Sequence, residues 1–306
     1  MNSNSSYTIE EVAQLLRVSK LTVYDLIKKE ELSAYRVGRQ MRVDHDDLER
    51  YKNGNKTKHK NVNNSSQNEE QKTIDQIVIS GQDIVLDILS KNIEKELRKT
   101  PLRLYNGSLN SLIAMYNGQC DIVSLHLYDS ETGEYNLPYV KRILVSHPFA
   151  LLNLVSRNAG IYVQKGNPNQ IKSWKDLSNP QIKIINREKG SGARILLDEK
   201  FKKFGIQASS IKGYDEELTS HFSVASAVAN GQADAAVGIE NVSKMVNVDF
   251  IPLIKERYDL VVLKKPENLL LLELIKKITQ SDSFKNELKQ LNGYDISETG
   301  KVFYES

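Results

Sequence analysis

The sequence predicts an α/β protein in which a small helical head precedes a larger domain of two similar lobes. Three observations predict this fold class. The first 52 residues contain two short amphipathic helices and a basic strand pair. From Thr73 onwards, apolar strands alternate with helices, and each strand ends at a turn rich in serine or glycine. The pattern Asn-Gly-Gln-x-Asp occurs twice, at 117–121 and 230–234, each time between an apolar helix and a short apolar strand.

Length and charge limit the classes of protein that the chain can belong to. Its 306 residues can form two or three domains, and 42 basic against 39 acidic residues give a net charge of +3. Any attraction to nucleic acid must therefore be local. The single cysteine, Cys120, precludes an internal disulfide, and we expect a packed thiol there. No segment has membrane-spanning length or a signal-peptide pattern, so a cytoplasmic protein with no membrane partner is expected.

The head, residues 1–52, has the pattern of a helix-turn-helix. We expect Thr8 to cap the first helix and Ser19 to cap a second helix that runs from Lys20 to about Glu30. Alternating residues about Gly38 predict a small hairpin, or wing, whose arginines can contact a phosphate backbone. A charged helical domain with no nucleic-acid role is the alternative. The candidate DNA-binding residues are Ser19, Lys20, Thr22, Tyr24, Lys28, Arg36, Arg39 and Arg42.

Two segments of the head carry a resemblance: the helical one from Tyr7 and the wing Arg-Val-Gly-Arg-Gln-Met-Arg-Val from Arg36. Both segments resemble the excisionase-type, MerR-related winged helix-turn-helix family. The resemblance implies that the second helix enters the major groove of a double-stranded DNA operator and that the wing contacts the backbone. One small head makes few contacts, so a homodimer is expected. Residues 53–72 contain one apolar residue, Val62, and are expected to form a polar linker.

The stretch that best indicates a ligand is the apolar strand at 182–185, its loop ending in Gly190, Ser191 and Gly192, and the helix that follows. Free N–H groups at a helix N-terminus bind anions, and glycines allow a guest to approach closely. The loop lacks the P-loop and dinucleotide patterns, and a plain tight turn is the alternative. Similar turns follow the strands at 77–79 and 102–105. Because the carboxyl ends of parallel strands meet at one edge of a sheet, we expect these turns to converge.

Extended segments near 160–170 and 251–262 are expected to cross between the lobes, which is the plan of a periplasmic-binding-protein-like fold with its ligand between the lobes. The receptor domain is then 73–306, with lobe one at about 73–160 and 255–306 and lobe two at about 161–254. Trp174 is expected to pack at the start of lobe two.

Four receptor segments, 121–127, 135–140, 186–198 and 256–261, resemble the cytoplasmic substrate-binding-like domain that is fused to helix-turn-helix heads in molybdate- or tungstate-linked regulators. The resemblance covers nearly all of 73–306 and implies an oxyanion receptor. Some members of that family are linked to molybdopterin, so an organic ligand stays open. Ala193 stands where a threonine is common, which removes one hydroxyl donor.

The candidate ligand-binding residues are the donors near the predicted turns. For the serines, a role as helix caps is the alternative; for Arg194 it is an ion pair with Asp198, and for His126 a structural role. These candidates are Ser80, Gly81, Ser108, His126, Arg187, Ser191, Gly192, Arg194 and Tyr258.

No metal-ligand spacing, nucleophile motif or carboxylate pair appears, so we expect no catalytic residue, no metal cation, no cofactor and no enzyme activity. The sequence favours a transcription regulator that senses molybdate or tungstate in a cleft between lobes. A cytoplasmic binding or storage protein, or a sensor of a molybdopterin-related organic ligand, is the alternative.

Overall fold

The computed structural model describes residues 6–16, 18–28, 32–37, 40–45, 47–48, 51 and 76–306. It divides into two compact units, Met1–Glu70 and Gln71–Ser306. The predicted linker at 53–72 lies outside the described residues.

The first unit contains the two predicted helices and the predicted wing. Its elements are β1 (Ser6–Thr8), α1 (Ile9–Leu16), α2 (Lys20–Lys28), β2 (Tyr35–Val37) and β3 (Gln40–Asp44). Thr8 and Glu11 cap α1 reciprocally, since each side chain accepts a hydrogen bond from the backbone N–H of the other residue, at 2.8 and 3.3 Å. The sequence did not reveal β1, which pairs with β3 and widens the wing to three strands.

The second unit is the predicted two-lobed α/β domain. Its strands are β4 (Val78–Ser80), β5 (Leu102–Leu104), β6 (Ile122–Leu125), β7 (Phe149–Val163), β8 (Ile184–Arg187), β9 (Glu217–Leu218), β10 (Ala235–Ile239), β11 (Asp249–Leu263), β12 (Tyr294–Asp295) and β13 (Val302–Glu305). The sheet order is β5-β4-β6-β11-β7-β10-β8-β9, with β12 and β13 also paired to β7. The long antiparallel strands β7 and β11 belong to both lobes and connect them.

Helices cover both faces of the sheet in each lobe. They are α3 (Val85–Leu97), α4 (Ser108–Tyr116), α5 (Leu137–Ile143), α6 (Gly192–Phe204), α7 (His221–Ala229), α8 (Glu240–Ser243), α9 (Leu269–Gln280) and α10 (Asp282–Lys289). Successive residues of β7 point to opposite faces, so that Ile161 and Tyr162 belong to different core clusters. Trp174 is buried as predicted, and burial raises the pKa of the Cys120 thiol to about 12. Ile84, directly before α3, is 56% exposed.

The repeated Asn-Gly-Gln-x-Asp pattern has the same structure in both lobes. Gly118 follows α4 with φ +74°, and Gly231 follows α7 with φ +71°, a conformation that glycine adopts without strain. The carboxylate of Asp121 accepts a hydrogen bond from the N–H of Val78 at 2.8 Å. Asp234 accepts the equivalent bond from Lys183, also at 2.8 Å. The repeat therefore ties the end of a helix to a neighbouring strand in each lobe.

Candidate functional site

The turns after β4, β5, β6 and β8 meet between the lobes and enclose a cavity of about 10 Å³, which is room for about one water molecule. We call this space the inner cavity. Its lining residues are Gly81, Gln82, Asn106, Gly107, Ser108, Ser124, His126, Arg157, Arg187, Ser191, Gly192, His221 and Tyr258. Parallel pairing of β4 with β5 and β6, and of β8 with β10, places these turns at carboxyl ends of strands.

Two helix N-termini from opposite lobes face this cavity. Helix α4 begins at Ser108 in lobe one, and α6 begins at Gly192 in lobe two. The first turn of α4 contacts the loop before α6, because the N–H of Leu109 donates to the carbonyl of Gly190 at 2.9 Å. The first N–H groups of a helix have no partner within the helix and carry its partial positive charge. The cavity is therefore suited to an anion.

Two serine hydroxyls of the cavity are placed to donate to a guest. Oγ of Ser108 accepts from the N–H of His126 at 3.3 Å, and Oγ of Ser191 accepts from the N–H of Arg194 at 3.3 Å. A hydroxyl that accepts in this way keeps its own proton for a further bond. Within the described part of the chain, neither hydroxyl donates to a protein acceptor. The predicted capping role and the predicted donor role of Ser191 are thus compatible.

Close approach at the cavity depends on glycine at position 192. A Cβ atom on Gly192 would lie 2.5 Å from Cε1 of His126, which belongs to the other lobe. The His126 ring is held in place because its Nδ1 lies 3.1 Å from Oε2 of Glu256. Gly192 thus allows the two lobes to meet at the cavity.

Arg187 lines the cavity, but most of its donors are already used. Its Nε and Nη2 donate to the carboxylate of Glu188, both at 2.9 Å, and Nη2 also donates to Oε1 of Gln82 at 2.8 Å. No acceptor for Nη1 occurs among the residues that the structure describes. The charge of Arg187 is therefore largely balanced, and one edge of its guanidinium can still reach a ligand.

A second arginine, which sequence reasoning did not identify, lies at the centre of a buried ionic network. Arg157 in β7 is 4% exposed, and it pairs with both Asp83 and Glu256. Burial alone would raise the pKa of Glu256, but His126 and Arg157 lower it to about 2. Arg157 also lies over the ring of Tyr258, with 4.6 Å between Cζ and the ring centroid. The only signal in the sequence was a single cation inside an otherwise uncharged 15-residue strand.

Two predicted ligand-binding residues lie outside the lining of the cavity. The hydroxyl of Ser80 bonds to that of Ser111 at 2.9 Å behind the turn. Arg194 points along α6, where its Nε donates to Asp198 at 3.3 Å and its guanidinium lies over Tyr214 at 4.1 Å. The i,i+4 ion pair is therefore the arrangement observed for Arg194, because the start of the helix directs its side chain away from the cavity.

The head places its candidate residues in two groups. Tyr24, Lys28 and Arg36 are exposed and available to a partner. The others that are described have contacts within the head: Ser19 with Thr22 at 2.9 Å, Lys20 with Glu10, and Arg42 with Ser6 at 3.2 Å. Arg39 lies outside the described residues.

The described part of the chain contains neither a membrane-spanning helix nor a cluster of metal-ligating side chains. Each helix in the described residues is too short or too polar to span a bilayer. No group of three or more His, Cys, Asp or Glu side chains is placed to hold a metal ion in those same residues.

Comparisons with known proteins match both units. A PBP superfamily domain model matches residues 92–277, and a helix-turn-helix domain model matches residues 6–56. The protein YvgK of Bacillus subtilis is 57% identical over 310 residues, covering 100% of both chains. A putative DNA-binding protein of Mycobacterium tuberculosis is 61% identical over 36 residues, 12% of this chain and 46% of that protein.

Among solved structures, the tungstate ABC transporter from Geobacter sulfurreducens is similar with a TM-score of 0.53 and 14% identity, covering 69% of this chain and 97% of that one. An ancestral amino acid-binding protein, a precursor of cyclohexadienyl dehydratase, gives a TM-score of 0.50 and 18% identity over 70% and 94% of the two chains. At such low identity these likenesses show the fold alone.

Proposed function

The chain belongs to the PBP superfamily and carries a helix-turn-helix head, and on this basis we propose that it is a transcription regulator whose receptor domain senses molybdate or tungstate. The observation that carries the proposal is the meeting of two helix N-termini and two free hydroxyl protons, from opposite lobes, at one cavity. Tungstate is also the substrate named for one of the similar structures. The proposal assigns the chain no catalytic residue and no cofactor.

The chemistry of the cavity favours a fully deprotonated tetrahedral anion. The groups that can donate to such an anion are the hydroxyls of Ser108 and Ser191, first-turn N–H groups and Nη1 of Arg187. The carboxylates of Asp83 and Glu256 are taken by Arg157 and do not offer an acceptor to a guest. A protonated oxyanion such as hydrogen phosphate would be held better where a free carboxylate accepts its proton. Molybdate and tungstate have no such proton.

Binding is expected to move the lobes. The inner cavity holds about one water, and an anion with four oxygens is larger. Its entry therefore requires the contact between Leu109 and Gly190 to lengthen while the donors of both lobes turn to the guest. A ligand changes a conformational equilibrium only through different affinities for the two states, and a site split between lobes provides that difference. We propose that this rearrangement changes the affinity of a homodimer for its operator.

Isothermal titration of the full chain with molybdate, tungstate, sulfate and phosphate tests the ligand. We expect binding of molybdate or tungstate, and a loss of roughly 10- to 150-fold in Ser191→Ala, since a hydrogen bond to a charged group contributes ~1.5–3 kcal/mol. Ser281→Ala is the matched control, because Ser281 caps α10 through the N–H of Phe284 just as Ser191 caps α6. Equal losses in the two variants, or no binding of any of the four anions, would contradict the assignment.

Selection from a random duplex library, followed by a gel-shift titration, tests the DNA-binding role. Lys28→Glu and Arg36→Glu should each weaken binding, because both side chains are exposed on the head. Lys212→Glu is the control, as it makes the same charge change at an exposed position of the receptor domain. If no duplex is enriched, the alternative of a binding or storage protein is favoured; turnover of a bound compound would favour an enzyme.

A further inference from the structure

A second and much larger space adjoins the inner cavity. This outer cleft has a volume of about 840 Å³ and shares Gln82 and His221 with the inner cavity. Ligand sites for organic molecules typically enclose roughly 300–1,000 Å³. Both lobes contribute to its apolar wall. The wall residues used below are Ile84, Tyr105, Leu291, Val242 and Met245.

Three residues of the apolar wall are largely open to solvent. Ile84 is 56% exposed, Tyr105 is 65% exposed and Met245 is 74% exposed. Single exposed apolar side chains are ordinary, but several that line one concave surface are typical of a binding site. Covering them would stabilise a complex by about 25 cal/mol for each Å² of apolar surface removed from water.

The charges of the cleft are already balanced within the protein. Asp83 pairs with Arg157, Asp87 with Arg103, and Lys244 with Glu240 at 3.6 Å. His221 adds no charge at neutral pH, because burial and the nearby arginines hold its pKa well below the usual value. Among the described lining residues, a charged ligand would therefore find no unpaired counter-charge. The cleft differs in this respect from the inner cavity.

Polar groups of the cleft can still orient a guest. The side-chain amides of Gln290 and Asn292 line it, and each amide offers both donors and an acceptor. Two lining residues also have a buried atom with no hydrogen-bond partner in the described part of the chain, Nδ1 of His221 and Oδ1 of Asn241. Buried polar atoms normally have partners. Both atoms are shielded from solvent in this structure, so a ligand could bond to them only after a local rearrangement of the cleft wall.

We propose that the outer cleft is a second ligand site, which binds an uncharged aromatic molecule with hydrogen-bonding groups on its edge. The ring system would cover the apolar wall, and the amides would bond to its polar edge. Because the cleft lies between the lobes, as the inner cavity does, its occupant also contacts both lobes. The site does not depend on the identity of the oxyanion.

Titration of the full chain with Nile red, an uncharged aromatic dye, tests the site in a buffer without molybdate, tungstate, sulfate or phosphate. We expect saturable binding at one site, weakened roughly tenfold in Tyr105→Ala and Met245→Glu, about 1.4 kcal/mol. Val145→Glu and Leu270→Glu are the controls, since these residues are 79% and 71% exposed and lie outside the cleft. No saturable binding, or equal loss in the controls, would overturn the proposal. Circular dichroism confirms that each variant is folded.

Competition between two naphthalenes of similar size tests the preference for an uncharged ligand. 2-Naphthamide should displace Nile red, whereas 2-naphthoate should not, because the cleft lacks a free counter-charge. Equal or stronger displacement by the carboxylate would overturn that preference. Since no oxyanion is present, the outcome is independent of the titrations with molybdate and tungstate, and either proposal can fail alone.

Discussion

Gly192→Ala tests whether close approach at the inner cavity holds the two lobes together. Its Cβ would lie 2.5 Å from Cε1 of His126, whereas carbon atoms in contact prefer ~3.5–4.0 Å. Removing this clash requires the two atoms to move apart by about 1 Å, and overpacking of this kind lowers the stability of the contact by ~1–3 kcal/mol. Gly192 has no positive φ, and alanine is favoured over glycine in a helix, so lobe two itself should not be destabilised. Separation of the lobes is the simplest relief.

Hydrogen exchange of the Leu109 amide measures this separation, because that N–H donates to Gly190 of the other lobe. We expect exchange to accelerate by roughly 5- to 150-fold in Gly192→Ala, the factor that corresponds to ~1–3 kcal/mol. The amide of Asp234, bonded to Lys183 within lobe two, should be unaffected. In a His126→Ala background the acceleration should vanish. Unchanged exchange at Leu109, or acceleration that persists without the His126 ring, would refute the reasoning.

Three further predictions concern stability. The pKa of Glu256 is lowered to about 2. The stability that its ionised carboxylate contributes is therefore complete above the ordinary pKa near 4.5 and is lost as the pH falls towards 2. Over this range the free energy of unfolding, measured in urea, should decrease with falling pH more steeply than in Glu256→Gln, by up to about 1.4 kcal/mol per pH unit. Phe201→Ala should cost ~3–5 kcal/mol in urea unfolding, because the ring is 1% exposed in the core of lobe two; a loss below 1 kcal/mol would contradict this. Thr8→Ala should accelerate amide exchange in α1 about fivefold through loss of ~1 kcal/mol of capping, while Ser33→Ala, at an exposed position outside the helices, should not.

Local chemistry explains which parts of the fold were predictable. The turns after β4, β5 and β8 were marked by serine and glycine, and parallel pairing then brings such turns to one edge. The repeat at 117–121 and 230–234 identified the two lobes because glycine and aspartate have fixed geometric roles there. These features depend on neighbours in the sequence or on a general rule of sheet topology.

The features that the sequence did not predict depend on contacts between residues that are distant in the chain. Arg157 is 74 residues from Asp83 and 99 from Glu256, so its neighbours in the chain gave no indication of the ion pairs that it forms. The direction of Arg194 was ambiguous because a donor near a helix N-terminus can turn to the cavity or along the helix; Asp198 and Tyr214 decide it. Strand β1 has only three residues and gains its pairing from β3, which local periodicity cannot reveal.

The distribution of donors between the lobes supports the proposed coupling of ligand binding to lobe arrangement. The hydroxyl of Ser108 belongs to lobe one, whereas the hydroxyl of Ser191 and the N–H of Gly192 belong to lobe two. A ligand held by one lobe alone would gain only some of these donors, so its affinity must depend on the arrangement of the lobes. The lobes also bond directly, through Leu109 and Gly190 among others, and each such bond contributes only ~1 kcal/mol. Two or three charge-assisted bonds to a ligand therefore contribute more free energy than these contacts between the lobes. A conformational response requires a difference in affinity of this size between the two arrangements.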